Sequence, residues 1–122
     1  MILVFGGAYQ GKKEYAQKCL GVKEIFDCEK GAPDFQYDGI GNIEAFAMEC
    51  VKKGIEPKSY FEENREKWQE KVLIMTDVSQ GVVPIDPEVR AYREANSRLM
   101  LYLARQADRV IRVFCGIGKD IK

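Results

Sequence analysis

The sequence predicts a three-layer α/β fold in which helices cover both faces of a parallel sheet. Short apolar runs, at residues 2–5 and 72–75, have the composition of strands that are buried on both faces. Stretches with helical periodicity, such as residues 43–51, alternate with these runs. Such alternation is typical of parallel strands joined by right-handed crossovers. The 122 residues are expected to form a single domain, residues 1–122.

The first strand leads into a glycine-rich loop. Gly6, Gly11 and Lys12 satisfy the pattern G-x-x-x-x-G-K of a phosphate-binding loop (P-loop), between a strand and a helix as that motif requires. Glycines let backbone N–H groups face an anion, and the next helix adds the positive end of its dipole. These features predict a P-loop nucleoside-triphosphate-binding fold. The predicted nucleotide-binding residues are Gly6, Gly7, Ala8, Tyr9, Gln10, Gly11, Lys12 and Lys13.

Lys13 stands where the motif has Ser or Thr. That hydroxyl normally coordinates Mg²⁺, which a lysine ammonium cannot do. The predicted ligand is ATP or GTP. Mg²⁺ is a possible cofactor, and no residue is assigned as its ligand. The alternative is a glycine-rich turn that binds nothing, but the strand–loop–helix context favours phosphate binding.

Charge and hydropathy exclude several classes of protein. The chain has 19 Lys and Arg against 19 Asp and Glu, a balance that predicts neither a nucleic-acid nor a membrane partner. Its apolar runs are too short to span a bilayer, and the N-terminus does not have the pattern of a secretory leader. We expect a cytoplasmic protein.

Cysteine and histidine usage limits the chemistry further. Cys19, Cys28, Cys50 and Cys115 form no C-x-x-C pair, and the chain has no histidine. A zinc site would need four thiolates from distant elements, so buried structural thiols are the preferred interpretation. The commonest general base is also missing.

The N-terminal half predicts the elements that surround the loop. A helix over about residues 11–20 should end before Gly21. A second strand within residues 22–28 carries Asp27 at its end, a weak third strand at residues 35–37 ends at Asp38, and Asn42 caps the next helix. The first helix should bury Tyr15, Ala16, Cys19 and Leu20 and leave Lys12, Lys13 and Lys18 outside that stripe.

The C-terminal half predicts two more helices and two strands. Ser59 and Glu62 are placed as a capping box for a charged helix that reaches residue 71. Asp77 follows the strand at residues 72–75, and Asp86 caps the long helix after it. The last strand covers residues 109–115, and a tail begins at residue 116.

Short motifs follow one another in order through this half. Residues 76–84 read T-D-V-S-Q-G-V-V-P, residues 90–94 read R-A-Y-R-E, residues 107–110 read A-D-R-V and residues 116–122 read G-I-G-K-D-I-K. With the loop G-G-A-Y-Q-G-K, the series resembles the adenosylcobinamide kinase / adenosylcobinamide-phosphate guanylyltransferase family of cobalamin biosynthesis. That family has G-G-A-R-S-G-K-S, N-E-V-G-x-G-I-V-P, R-x-F-R-D, A-D-x-V and G-x-P-x-x-L-K.

The resemblance implies a transferase, a kinase that uses ATP or GTP on a corrinoid. Lys12 and Asp77 are the expected catalytic residues: Lys12 stabilises the transferred phosphoryl group, and Asp77 orients the attacking hydroxyl or holds Mg²⁺ through water. The candidates near the metal or the substrate are Asp27, Asp38, Arg90 and Arg93, and surface ion pairing is the alternative role for the two arginines.

The chain also departs from the family. Family members carry a long segment after the second strand with the histidine that becomes guanylylated, whereas this shortened chain has none. Guanylyl transfer by that route is therefore not expected. Three functions remain open: a corrinoid kinase, a nucleotide-binding regulatory protein without turnover, and a scaffold in which the loop is a packing turn. The resemblance also implies self-association into a homo-oligomer.

Overall fold

The computed structural model describes residues 1–79 and 85–122. Within them, six strands form one sheet in the order β2-β3-β4-β1-β5-β6. The strands are β1 (Ile2–Gly6), β2 (Ile25–Asp27), β3 (Gly39–Gly41), β4 (Val72–Thr76), β5 (Arg109–Phe114) and β6 (Ile117–Asp120). The helices are α1 (Lys12–Cys19), α2 (Ile43–Lys52), α3 (Pro57–Glu63) and α4 (Pro87–Gln106).

The sheet is parallel except at one edge. β1 pairs in parallel with β4 and β5, so that Ile2 lies opposite Val72 and Arg109. β2 and β3 continue the parallel sheet, and β6 returns antiparallel to β5. The carboxyl ends of the five parallel strands therefore lie at the same edge, which is the edge where the glycine loop leaves β1.

Two apolar clusters make the three layers. On one face, Ala16 of α1 packs with Val4, Ile74 and Ile111 from the sheet. On the other face, α2, α3 and α4 cover Leu3, Leu73 and Met75 with the buried side chains Ile43, Phe46, Phe61, Leu99 and Leu103. The predicted three-layer α/β architecture with a mostly parallel sheet is confirmed.

α4 begins as the sequence predicts. The Asp86 carboxylate accepts hydrogen bonds from the N–H groups of Glu88 (2.8 Å) and Val89 (3.4 Å), and Pro87 occupies the first turn. Across residues 1–79 and 85–122, no helix combines the length and the apolar character that crossing a membrane requires.

The third strand lies later than predicted. Residues 35–37 lie in a turn region, and the strand is formed by Gly39–Gly41. A Cβ on Gly39 would lie 2.9 Å from Val22 Cγ1, and one on Gly41 would lie 3.0 Å from Ile25 Cγ2. The strand was predicted to end at Asp38, before these two glycines, but the glycines allow β3 to pack closely against the residues around β2.

The C-terminal tail contains a strand, β6, that was not predicted from the sequence. Cys115 and Gly116 take left-handed backbone conformations (φ 51° and 76°), and this turn lets β6 fold back along β5. Arg109 then bonds Asp120 in a bidentate pair (2.6 and 3.0 Å). Because β6 contains polar residues, its hydropathy pattern does not predict a strand.

The predicted capping box on α3 was wrong. Glu56 is the residue before the helix, no side chain caps it, and α3 ends at Glu63, before a 3₁₀ turn at Arg65–Lys67. Trp68, which follows this turn, is fully buried, and its Nε1–H donates to the Phe61 carbonyl at 2.9 Å.

Burial of the thiols and of α1 also differs from the prediction. Cys28 and Cys50 are buried, which raises the pKa of Cys28 to about 12 and that of Cys50 to about 11. Cys19 and Cys115 are exposed. In α1 the position expected outside the buried stripe, Lys12, is buried, because its side chain folds back over the loop that precedes it.

Candidate functional site

The loop between β1 and α1 has a constrained backbone. Tyr9 and Gly11 are both left-handed (φ 59° and 85°), and the Tyr9 side chain is fully exposed. A Cβ on Gly6 would collide with the Val113 carbonyl oxygen of β5. Glycine is therefore required where the loop leaves the sheet.

Lys12 lies over this loop. Its side chain is only 9% exposed, and Nζ donates to the Gly7 carbonyl at 2.6 Å. Burial lowers the pKa of Lys12, and the charges of Glu44 and Glu14 partly offset that effect. An anion that displaced the Gly7 carbonyl would meet a partly desolvated cation, where charge pairing is stronger than in water.

Beside Lys12 is a cavity of about 210 Å³. It brings together seven of the residues singled out in the sequence: Tyr9, Gln10, Gly11, Lys12, Lys13, Asp27 and Asn42. Asp27 and Asn42 enter it from the ends of β2 and β3, at the carboxyl edge where ligands bind in open α/β sheets. The cavity therefore has both cationic and anionic walls.

Asn42 does not cap α2 as predicted. It is left-handed (φ 53°), and its Nδ2 donates to Asp27 Oδ1 at 2.8 Å instead. The same oxygen accepts from the Glu29 N–H at 2.9 Å. The Asn42 hydrogen bond is the main reason that the pKa of Asp27 is lowered, and the charges of Lys30 and Lys13 add to its effect.

Asp77 lies beside the loop but outside this cavity. Its N–H donates to the Gly6 carbonyl at 2.9 Å. Its Oδ1 accepts from the N–H (2.9 Å) and the hydroxyl (2.6 Å) of Ser79, which forms a local turn. Asp77 lines a different cavity of about 320 Å³, together with Phe5 and Met100.

The other predicted acid, Asp38, lies at the opposite edge of the sheet. It precedes β3, and its carbonyl accepts from the N–H of Val72, the first residue of β4, at 3.2 Å. The loop follows the last residue of β1 and therefore lies at the carboxyl edge of the sheet, whereas Asp38 lies at the amino edge. Asp38 therefore does not join Lys12 and Asp27. The structure does not bring it near the predicted metal position.

The two arginines lie in the first turns of α4. The Arg93 guanidinium donates to the Ser79 carbonyl, so it reaches the segment that follows β4. Arg90 is exposed, and its backbone N–H donates to the Asp86 carbonyl at 3.0 Å. The motif residues Gly81 and Pro84 lie outside the described residues.

Three hydrogen bonds near the loop were not predicted from the sequence. Gln10 Oε1 accepts from the Cys115 N–H, and the Gln10 carbonyl accepts from the Gly116 N–H, both at 2.8 Å. Glu44 in the first turn of α2 accepts from the Thr76 N–H at 2.8 Å. The available signal for Glu44 was an acid in the first turn of a helix. An acid is favourable at that position in helices generally, so this signal does not single out a functional residue.

The donor set gives limited support for a protein-held metal. In the part of the chain that the structure describes, no group of three or more Cys, Asp or Glu side chains could hold a metal ion. Mg²⁺ commonly binds through substrate phosphates and one or two carboxylates. Asp27 and Glu14 are carboxylates that line the cavity with Lys12, while Lys13 lines the same cavity and opposes a cation there.

A family model described as cobinamide kinase / cobinamide phosphate guanyltransferase matches residues 46–121. The match covers more than half of the chain and runs from within α2 to the residue after β6. It does not include the glycine loop, Asp27 or Asn42. No curated protein matches the chain.

Proposed function

The chain belongs to the cobinamide kinase / cobinamide phosphate guanyltransferase family of cobalamin biosynthesis, and we propose that it transfers a phosphoryl group from ATP or GTP to a corrinoid alcohol. The observation that carries the proposal is the position of Lys12. Lys12 is buried, and its ammonium is bonded to the Gly7 carbonyl of the glycine loop, at the carboxyl edge of the sheet and beside an open cavity.

Residues 6–13 hold the triphosphate in this proposal. Backbone N–H groups of the loop and of the first turn of α1 face the phosphates, and the helix dipole favours their charge. Lys12 exchanges the Gly7 carbonyl for a phosphate oxygen and stabilises the charge that develops during transfer. Arg93 and Arg90, at the start of α4, are proposed contacts to substrate phosphate.

Asp27 and Asp77 are the proposed acids near the phosphates. Asp27 lies in the cavity, and Asp77 is bonded through its backbone to Gly6. Either carboxylate would hold Mg²⁺ through water. When bound, that ion would help to neutralise the charge of the phosphates. Guanylyl transfer through a histidine intermediate forms no part of the proposal, because the chain has no histidine.

Lys13 favours a second candidate function, nucleotide binding without turnover. It replaces the magnesium hydroxyl of the motif and lines the cavity with Lys12. Lys13 and Asp27 line the same cavity, and the charge of Lys13 adds to the lowering of the pKa of Asp27. A second ammonium that contacts phosphate directly would take over part of the role of the metal and support a nucleotide sensor.

Transfer of label from γ-labelled ATP or GTP to adenosylcobinamide, with Mg²⁺, tests the proposal. Wild type and the control Lys18→Ala, which changes an exposed residue of α1, should both form labelled corrinoid phosphate. Lys12→Ala should lose at least about 100-fold in rate. Nucleotide binding without transfer in the wild type would favour the sensor, and the absence of both would contradict the two functions.

A further inference from the structure

The end of β4 is hydrogen-bonded to side chains of two helices, α2 and α4. Glu44 of α2 accepts a hydrogen bond from the Thr76 N–H at 2.8 Å. Asn96 of α4 donates through Nδ2 to the Thr76 carbonyl at 3.2 Å. Thr76 itself lies opposite Gly6, where the glycine loop begins. The two side chains are therefore one strand away from the loop, on the face of the sheet covered by α2 and α4.

Asn96 has an unsatisfied polar atom. The residue is 1% exposed, and its Oδ1 accepts no hydrogen bond from residues 1–79 or 85–122. A buried acceptor without a donor is energetically costly. Such an atom in a folded protein requires an explanation, and a ligand that donates to it is one. A ligand that supplied an N–H or O–H group here would recover that cost.

Glu44 is electrostatically coupled to the loop lysine. Its charge raises the pKa of Lys12 against the effect of burial, and it does so more than the charge of Glu14. On the α4 side, burial and then the charge of Glu44 raise the pKa of Tyr92 to about 12. The charge of Glu44 therefore acts on groups of both α1 and α4, whereas the carboxylate of Asp77 is held in the turn with Ser79.

We propose that Glu44 and Asn96 form the acceptor subsite of phosphoryl transfer, with Glu44 as the proton acceptor. The ligand class is an alcohol that carries a second donor nearby, such as an amide N–H. This inference rests on the proposed kinase function. The hydroxyl donates to Glu44, and Asn96 Oδ1 accepts the second donor.

The reaction at this subsite is an in-line displacement. The hydroxyl oxygen forms a bond to the γ-phosphorus, and its proton passes to Glu44. The bond between that phosphorus and the β–γ bridging oxygen breaks, and its electron pair leaves with the nucleoside diphosphate. Because the transition state is loose, Glu44 acts mainly by orienting the hydroxyl and taking its proton.

Glu44→Gln tests the role of the carboxylate while preserving the structural contact. The amide oxygen of Gln can still accept from the Thr76 N–H, but Gln cannot accept a proton at neutral pH. The matched control is Glu49→Gln, an exposed acid on the same helix. The measurements are kcat for transfer from ATP or GTP to adenosylcobinamide and the nucleotide Kd by calorimetry.

The expected result is a fall in kcat of about 100-fold or more. The nucleotide Kd should be unchanged or lower, because a negative charge near Lys12 has been removed. A kcat within about threefold of wild type would overturn the proposal and leave Glu44 as a structural contact. Wild-type protein that binds nucleotide but makes no corrinoid phosphate would overturn the kinase function, and this subsite with it.

Asn96→Ala tests the second half of the subsite. It should raise the KM for adenosylcobinamide about tenfold, since the lost acceptor contributes about 1.4 kcal/mol of binding. An unchanged nucleotide Kd shows that the variant is folded. A variant that keeps the wild-type KM for the corrinoid would contradict the role of Asn96.

Discussion

Gln10 in the glycine loop accepts a hydrogen bond at 2.8 Å from the N–H of Cys115, which lies 105 residues later in the chain. The Gly116 N–H bonds the Gln10 carbonyl at the same distance. The turn between β5 and β6 therefore holds the tip of the loop. The segment that matches the family model, residues 46–121, includes this turn, so it contributes to the shape of a loop that lies outside the match.

Gln10→Ala should weaken nucleotide binding about fivefold and lower the free energy of unfolding by about 1 kcal/mol. The variant removes one hydrogen bond to the Cys115 N–H and leaves the loop tip less well ordered. Calorimetry and urea denaturation measure the two effects. Gln17→Ala, on the exposed side of α1, is the control. If Gln10→Ala and Gln17→Ala had the same nucleotide affinity and the same free energy of unfolding, the turn would not support the loop.

Gly6→Ala and Gly7→Ala should differ strongly, although they are neighbours. A Cβ at Gly6 meets the backbone oxygen of Val113, whereas a Cβ at Gly7 has Gln10 Cγ at an ordinary 3.6 Å as its nearest atom. We expect Gly6→Ala to cost about 2 kcal/mol or more of unfolding free energy. Gly7→Ala should stay within about 1 kcal/mol. Similar urea midpoints for the two variants would contradict the close approach of β1 to β5.

Lys13→Ser restores the hydroxyl that the motif normally supplies. Mg²⁺ should then strengthen ATP binding more in the variant than in the wild type, because a ligand replaces an opposing charge near the phosphates. Titrations of ATP with Mg²⁺ or with EDTA measure this difference. The same dependence on Mg²⁺ in both proteins would show that Lys13 does not lie near the metal position.

Asn42→Ala should raise the pKa of Asp27 toward its ordinary value, since the hydrogen bond from the Asn42 amide is the main reason that this pKa is lowered. A lowered pKa in the folded state stabilises the protein above the unfolded pKa of Asp27. That contribution is lost as the pH falls through the folded pKa, and it should shrink in the variant. Carbon-13 NMR of the Asp27 carboxyl during a pH titration measures the shift. An unchanged pKa would rule out the Asn42–Asp27 hydrogen bond in solution.

The central elements of the fold could be predicted because their signals are local. β1, β4 and the loop follow from apolar runs and a motif, and the cap at Asp86 follows from one side chain and its neighbours in sequence. Gly39 and Gly41 were misassigned because their packing against Val22 and Ile25 depends on tertiary contacts. β6 was missed for a similar reason: its pairing depends on the turn at Cys115 and Gly116.

The site could be predicted only in part. The placement of Lys12, Lys13 and Asp27 around one cavity agrees with the motif and with the order of the strands. Asn42 was interpreted as a helix cap because Asn favours that position, but a partner 15 residues away takes its side chain. Glu44 was missed because its contact with Thr76 joins residues 32 apart.

Calorimetric titration of ATP and GTP into wild type, Lys12→Ala and the control Lys18→Ala tests the central claim most directly. We expect wild type and Lys18→Ala to bind with the same Kd, and Lys12→Ala to bind about 100-fold more weakly, which corresponds to about 2.7 kcal/mol. Equal affinity in Lys12→Ala, or no binding by the folded wild type with or without Mg²⁺, would contradict a phosphate site at residues 6–13.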